Sequence, residues 1–258
     1  MMTSVGAGLK PAPTAERKAT MKLAVCVPIS WDWVPTPFLI SYAALFRPSQ
    51  LKALGELGVS EFWQLFNRVF PLDLNRNRLV EAGLKLGADF FFFLDADLIF
   101  PEGLIPNLVQ GLFRAGAEVG IYSGLYFKKT APHQPVPSLK NVAGDEQLMN
   151  PIWYEADRGP VECDVVGMGA ALIRRQVFEA ISPPWFEYER YRKTGEMTVT
   201  EEVPFCRKVK AAGFGILADP DLSCGHLSLR TVIERHWRCY RDQVFNPDGS
   251  LRSSEATV

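Results

Sequence analysis

Four phenylalanines and a leucine run without interruption into a pair of aspartates, Phe90-Phe91-Phe92-Phe93-Leu94-Asp95-Ala96-Asp97. A short continuous apolar run of this kind reads as a strand buried on both faces, and such strands belong to the centre of a parallel sheet covered by helices. Side chains two apart on a strand share a face, so Asp95 and Asp97 are expected to project together at its carboxyl end. That is where open α/β sheets bind ligands. Two carboxylates so close at the margin of an apolar layer repel each other and are poorly solvated, unless one is protonated or a cation sits between them. A divalent metal is the simplest answer. The plainer alternative is that one aspartate caps the following helix, and Pro101 argues against it: proline favours the first helical position, which would make Phe100 the cap.

Around this strand the pattern alternates. Strands are predicted at about 22 to 29, 90 to 95, 118 to 123 and 214 to 218, and helices near 37 to 46, 75 to 87, 101 to 115, from Arg174, and from 201 to 212, the last closed by Gly213 as its C-cap. Alternation of this kind predicts βαβ units and a mostly parallel central sheet flanked by helices. Lys128 to Gly159 carries Pro132, Pro135, Pro137 and Pro151 and reads as an irregular excursion, and loops this long are usually lids or substrate-binding segments. Residues 1–20 and 246–258 read as loose tails around a single domain at 21–245, and Met21, directly before the first strand, is a candidate translation start.

Composition narrows the function classes. A formal net charge of -1 on 258 residues gives no polyanion-binding surface, so nucleic acid is not an expected partner. Five scattered cysteines without a C-x-x-C spacing suit reduced thiols better than a disulfide frame or a zinc cluster. No apolar run approaches the roughly 18 residues needed to span a bilayer, and the first twenty residues lack a signal-peptide core. The expectation is a cytoplasmic protein without a transmembrane segment, with peripheral membrane contact left open.

The order of several short segments carries a resemblance. Val25-Cys-Val-Pro-Ile-Ser30, Asn75-Arg-Asn-Arg-Leu-Val80, Gly87-Ala-Asp-Phe90 followed by Leu94-Asp-Ala-Asp97, Gly167-Met-Gly-Ala-Ala-Leu-Ile-Arg174, Thr200-Glu-Glu-Val203 and Gly225-His226 resemble, in sequence order, the nucleotide-sugar glycosyltransferases of the GT-A fold, and within them the family 2 group. The likeness covers roughly residues 22 to 230. It implies a single Rossmann-like GT-A domain. It also implies transfer of a sugar from a nucleoside diphosphate donor to an acceptor hydroxyl, with inversion expected, on a glycan, lipid-linked or protein acceptor.

The resemblance also distributes roles. It assigns the D-x-D aspartates, Asp95 and Asp97, to Mn²⁺ or Mg²⁺ and through it to the donor diphosphate, and it adds His226 as a third metal ligand. A hard cation with oxygen ligands suits that chemistry, because it neutralises the diphosphate and acts as a Lewis acid on the departing nucleotide. Donor binding falls to Pro28, Ser30, Asp32, Arg76, Asn77 and Asp95, and acceptor binding to Trp185, Gly167 and Gly169. An acidic pair supplies the general base in that family. Here it is Glu201-Glu202, with Glu202 standing where relatives carry Asp, and Glu202 ranks ahead of Glu201. Read from the residues alone, both glutamates follow Thr200 and also suit the first turn of a helix, where acids complement the dipole. Two competing readings use the same scaffold: a sugar nucleotidylyltransferase, for which Pro28-Ile-Ser-Trp-Asp-Trp33 lacks the Gly-rich basic loop, and a catalytically silent glycan- or nucleotide-binding module.

Overall fold

In the computed structural model the phenylalanine run is a central strand whose alternate side chains feed two separate cores. The structure describes residues 20–30, 32–140, 149–154, 159–190, 197–228 and 233–244. The tails expected at 1–20 and 246–258 lie outside these residues apart from Thr20, as do Trp31 and the side chains of His236 and Cys239. In chain order the elements are β1 (Met21–Pro28), α1 (Thr36–Ala44), α2 (Pro48–Glu56), β2 (Val59–Asn67), α3 (Leu72–Lys85), β3 (Phe90–Leu94), β4 (Leu98–Ile99), α4 (Leu104–Arg114), β5 (Val119–Leu125), β6 (Ser138–Lys140) and β7 (Met149–Pro151). They continue with β8 (Val161–Glu162), β9 (Ala170–Arg174), α5 (Arg175–Ala180), β10 (Glu189–Arg190), β11 (Met197–Val199), α6 (Glu202–Ala211), β12 (Gly215–Ser223), β13 (Gly225–His226) and α7 (Glu234–Val244).

Seven strands form the main sheet in the order β2-β1-β3-β9-β5-β12-β8. The pairs β1·β2, β1·β3 and β5·β12 are parallel, while β9 runs antiparallel between β3 and β5, and β8 runs antiparallel at the edge. Five of the seven strands therefore share a direction, and the expected α/β class with a mostly parallel, helix-flanked sheet is the one observed. On β3 the two-residue period divides the aromatic run. Phe91 and Phe93 join a core with Leu79, Val80, Phe178 and Phe205, whereas Phe90, Phe92 and Leu94 join one with Phe38, Leu54, Leu108 and Leu112. Phe91 meets Phe178 with ring centroids 4.8 Å apart, and Phe93 meets Phe186 at 5.5 Å. Burying each such ring contributes about 1.5–3 kcal/mol.

α3 comes close to the sheet because Gly83 faces Phe91, where an added Cβ would stand 2.4 Å from the ring. Its buried face, Asn75, Arg76, Leu79, Val80 and Gly83, follows the helical period. The apolar part of that stripe packs in the core. Its first turn carries the polar pair Asn75 and Arg76 to the carboxyl ends of the strands.

Four local expectations are corrected. The helix predicted from Pro101 starts at Leu104, because Gly103 adopts φ 80° as its N-cap and a turn precedes it. Lys128–Gly159 is not wholly irregular: Phe127 bridges Pro135, β6 pairs with β7, and Ser138 bridges Val165. Residues 141–148 and 155–158 of that segment lie outside the described set. α2 and β2 were not anticipated. Asp95 and Asp97 do not continue β3, since the strand ends at Leu94 and a turn follows, closed by the Leu98 amide donating to the Asp95 carbonyl at 3.2 Å. Cys26, Cys163, Cys206 and Cys224 are buried and unbridged. Among the described residues no helix is long and apolar enough to cross a membrane.

Candidate functional site

The site is assembled at the carboxyl end of β1 and β3. The Asp95 amide donates to the Gly169 carbonyl at 3.1 Å, tying the D-x-D turn to the turn before β9. β4 pairs antiparallel with β13 in a register that sets His226 opposite Leu98, and the Leu227 amide donates to the Asp97 carbonyl at 2.8 Å. A motif residue 129 positions further along the chain is thereby brought beside the aspartate turn. Asn75 is fully buried, and its amide group donates to the carbonyls of Ile29, Asn67 and Val69 at 3.1–3.4 Å, which fixes the ends of β1 and β2 against α3.

Arg76 is the hub. It is 2 % exposed, with Nη2 2.9 Å from Asp95 Oδ1 and Nη1 2.6 Å from Glu201 Oε1. Its planar fork bridges two carboxylates from different elements, which an ammonium point charge would do less well. Burial opposes its charge, but Asp95 and Glu201 outweigh that and hold the guanidinium protonated. The carboxylates show the opposite strain. Burial raises Asp95 above the usual carboxylate range despite the pull of Arg76. Burial likewise pushes Glu201 up to about 7, with Glu202 adding to the effect of burial against Arg76. The Tyr188 hydroxyl, also near Glu201, is pushed up to about 12 by burial first and then by that carboxylate.

Asp97 has different partners. Its Oδ2 lies 2.5 Å from Lys129 Nζ and 3.6 Å from His226 Nε2. Burial works against its charge, but the neighbouring His226 and the Lys129 ammonium hold it below the ordinary carboxylate range. His226 Nδ1 lies 2.6 Å from the Phe127 carbonyl. A carbonyl can only accept, so Nδ1 carries the proton and Nε2 is the nitrogen turned toward Asp97, the orientation a metal-binding histidine takes when its other nitrogen is pinned. The Tyr126 ring meets the His226 edge with centroids 5.5 Å apart, and the Tyr126 hydroxyl accepts from the Gly169 amide at 3.1 Å.

The structure thus brings together Asp95, Asp97, Arg76, Glu201 and His226. A cleft of about 190 Å³ lined by Pro28, Ser30, Leu72, Asp95, Ala96 and Asp97 lies beside them. A larger cavity of about 510 Å³ between α4 and β12, lined by Arg114, Tyr122 and Asp219 among others, holds none of the motif residues. Chemistry therefore favours the smaller one. Other sequence-predicted residues are differently placed. Asp32 is exposed and paired with Arg68. Arg76, expected to face donor phosphate, is enclosed by the two carboxylates. Asn77 braces the chain at 185–186: its Oδ1 accepts from the Trp185 and Phe186 amides and its Nδ2 donates to the Phe186 carbonyl. Trp185, expected on the acceptor side, is 6 % exposed, its indole donating to the Phe178 carbonyl at 3.0 Å and packing edge-on to the Phe178 ring. The ring is core. Gly167 is required by Tyr126, since an added Cβ would stand 1.9 Å from its hydroxyl, and Gly169 by Leu98, whose Cδ1 would stand 2.7 Å away, with Tyr126 at 3.0 Å. Glu202 is less buried than Glu201 and accepts from the Thr200 hydroxyl at 2.6 Å.

Sequence reading missed Lys129, Asn75 and Tyr126. Asn75 stood within the quoted Asn75-Arg-Asn-Arg78 run, whereas Lys129 and Tyr126 sit in no motif.

A divalent cation fits these residues in part. Asp95 and Asp97 place two carboxyl groups on the same cleft, and Asp97 also faces His226 Nε2. Asp97 Oδ2 and His226 Nε2 face each other at 3.6 Å and could both reach one ion, yet among the described residues no group of three or more His, Cys, Asp and Glu side chains is arranged to hold a metal by itself. A site with few protein ligands suits Mg²⁺-like ions that complete their shell with water and substrate phosphate.

The Glu201 shift has a measurable consequence. A carboxyl that titrates near 7 in the folded protein against 4.5 when unfolded contributes stability that is fully present below about pH 4.5 and is lost as pH rises through 7. Relative to Glu201→Gln, wild-type protein is expected to lose on the order of 3 kcal/mol between pH 4.5 and pH 8 in chelator. Urea unfolding of both proteins across that range checks it, and a constant difference would remove the perturbed carboxyl.

No protein-family model matches the chain, and no curated protein matches it in sequence. Solved structures do. A197 from STIV superposes with a TM-score of 0.53 at 19% identity, over 93% of this chain and 97% of that one. GalNAc-T7 with UDP, GalNAc and Mn²⁺ superposes at 0.49 with 11% identity, over 89% of this chain, which spans about half (49%) of that protein. A Drosophila β1,4-galactosyltransferase 7 in complex with manganese, UDP-Gal and xylobiose superposes at 0.40 with 17% identity, over 77% and 65%. At such identities the likeness to A197 bears on the fold alone, and the two lower scores carry nothing further.

Proposed function

We propose that this chain is a metal-dependent glycosyltransferase that moves a sugar from a nucleoside diphosphate donor to an acceptor hydroxyl. The observation that carries this reading is the convergence on Arg76: a buried guanidinium joins Asp95 of the D-x-D turn to Glu201 of the acidic pair, two motifs 106 positions apart, beside a cleft lined by Pro28, Ser30 and Asp97. Asp97 and His226 would hold Mn²⁺ or Mg²⁺, with Asp95 on the same cleft. The bound ion would neutralise the diphosphate and act as a Lewis acid on the departing nucleotide.

The protein's own groups supply the rest. The Phe127 carbonyl holds His226 through Nδ1 and so turns Nε2 toward Asp97. Arg76 fixes the direction of Asp95 and Glu201 and prevents them from repelling each other out of the site. Glu202, the more accessible of the pair, takes the proton from the acceptor hydroxyl, directly or through one water. Glu201, enclosed by Arg76, is the weaker candidate for that step.

Binding of UDP and GDP measured by calorimetry, with Mn²⁺ and with chelator, tests the reading. Binding is expected with Mn²⁺ and to weaken at least about tenfold in chelator, and Asp97→Ala is expected to abolish the difference. Equal affinity under both conditions in the wild type would sink it.

A further inference from the structure

Lys129 has no place in the motifs, yet its ammonium holds the Asp97 oxygen nearest His226. The loop that carries it is closed on itself. The Lys128 amide donates to the Gln134 carbonyl at 2.9 Å, the His133 amide to the Thr130 carbonyl at 2.9 Å, and His133 Nδ1 lies 3.0 Å from the Lys128 carbonyl. Phe127, at the foot of this loop, bridges Pro135 and also supplies the carbonyl that orients His226. One short loop thus sets both the histidine and the lysine that face Asp97. The backbone is fixed, while the Lys129 side chain remains 36% exposed with a flexible stem.

We propose that Lys129 is a tethered cation that occupies Asp97 in the metal-free protein and moves to the donor diphosphate when a divalent ion takes its place. This rests on the reading above. Lys129 and His226 face the same Asp97 oxygen, and a divalent ion bound there would repel the ammonium, so ion binding displaces it. Displaced, it stands beside the cleft lined by Asp95 and Asp97, where a bound diphosphate would offer it oxygen acceptors. A compact ammonium on a long stem suits an exchange of partners, whereas the in-plane fork of Arg76 suits a fixed bridge. Lys129 is then a positioning residue in the empty site and a binding residue in the loaded one.

Lys129→Met separates the two roles because its effects have opposite signs. Mn²⁺ alone, followed by the electron paramagnetic resonance signal of the free ion, is expected to bind the variant about 3- to 10-fold more tightly, since a competing cation has gone. UDP or GDP in saturating Mn²⁺, followed by calorimetry, is expected to bind it at least about 5-fold more weakly. Lys128→Met, whose exposed ammonium bonds only Gln134 among the described contacts, should match the wild type in both, and melting curves establish that each variant is folded. Wild-type protein that takes up no Mn²⁺ overturns the metal reading itself. Wild-type protein that takes it up while Lys129→Met binds Mn²⁺ no more tightly overturns the displacement, and unchanged nucleotide affinity in that variant overturns the transfer to diphosphate.

Discussion

Arg76→Met is expected to destabilise the fold by about 3–5 kcal/mol at pH 8, because it leaves the buried Glu201 and the half-buried Asp95 without the cation they share. Methionine fills much the same volume, so the loss is electrostatic and not a cavity. For a chain of this size it corresponds to a fall in melting temperature of roughly 6–20 °C. Part of the penalty is relieved by proton uptake, so the variant should lose less at pH 5 than at pH 8. Adding Glu201→Gln removes one of the orphaned charges, and the double variant should recover about 1–3 kcal/mol relative to additivity. Arg76→Lys should fall between, since one ammonium cannot meet Asp95 and Glu201 at once in the geometry of the fork. Melting curves of the wild type, Arg76→Met, Glu201→Gln, their double variant and Arg76→Lys at two pH values test this. Wild-type stability in Arg76→Met would mean that the guanidinium does not bridge the two carboxylates in solution.

The parts of the fold that were legible in the chain are those whose pattern is local. β3 announces itself because both of its faces are apolar, and α3 and α6 because their stripes follow the helical period and α6 ends at Gly213, which has φ 89°. β2 was missed because it is an edge strand: Phe62 and Phe66 are exposed on it among Ser60, Glu61 and Gln64, so it lacks a clean alternation. The reversal of β9 is invisible locally, since its Ala-Ala-Leu-Ile-Arg sequence would suit a parallel strand equally well. Pro101 misled because Gly103 can adopt a left-handed backbone and open the helix later.

At the site, motif order located the aspartates, the acidic pair and His226 but inverted several roles. Asn77 and Trp185 do belong to one unit, yet they brace it, because an amide with three good backbone partners and an indole with a satisfied donor are spent on structure. The expectation that Asp95 and Asp97 share a face assumed a continuing strand. The turn at 95–97 sends one to Arg76 and the other to Lys129, and no spacing rule reports where a turn begins. Lys129 was beyond reach of the sequence for a simpler reason: a lysine in a Pro-rich segment is ordinary, and its partner is 32 positions away.

Glu202→Gln is expected to lower the transfer rate by a factor on the order of 10² to 10⁴ while leaving nucleotide binding nearly intact, as loss of one acid/base group does. The structure sharpens the comparison with Glu201. Glu201 is enclosed by Arg76, and the same change there removes an ion pair at 2.6 Å, so its effect should fall on stability and on the alignment of Asp95. Glu202 stands at the first position of α6 with the Thr200 hydroxyl donating to it, so its carboxylate is oriented without being sealed off. If Glu202 served only the helix dipole, its amide variant would cost a few tenths to about 1 kcal/mol of stability and spare turnover. Transfer kinetics and melting curves on the two variants therefore give opposite patterns: a rate loss at near-native stability for Glu202→Gln, and a pH-dependent stability change with a smaller rate loss for Glu201→Gln. The reverse pattern would assign the proton transfer to Glu201, and unimpaired turnover in both would take the general base off this helix.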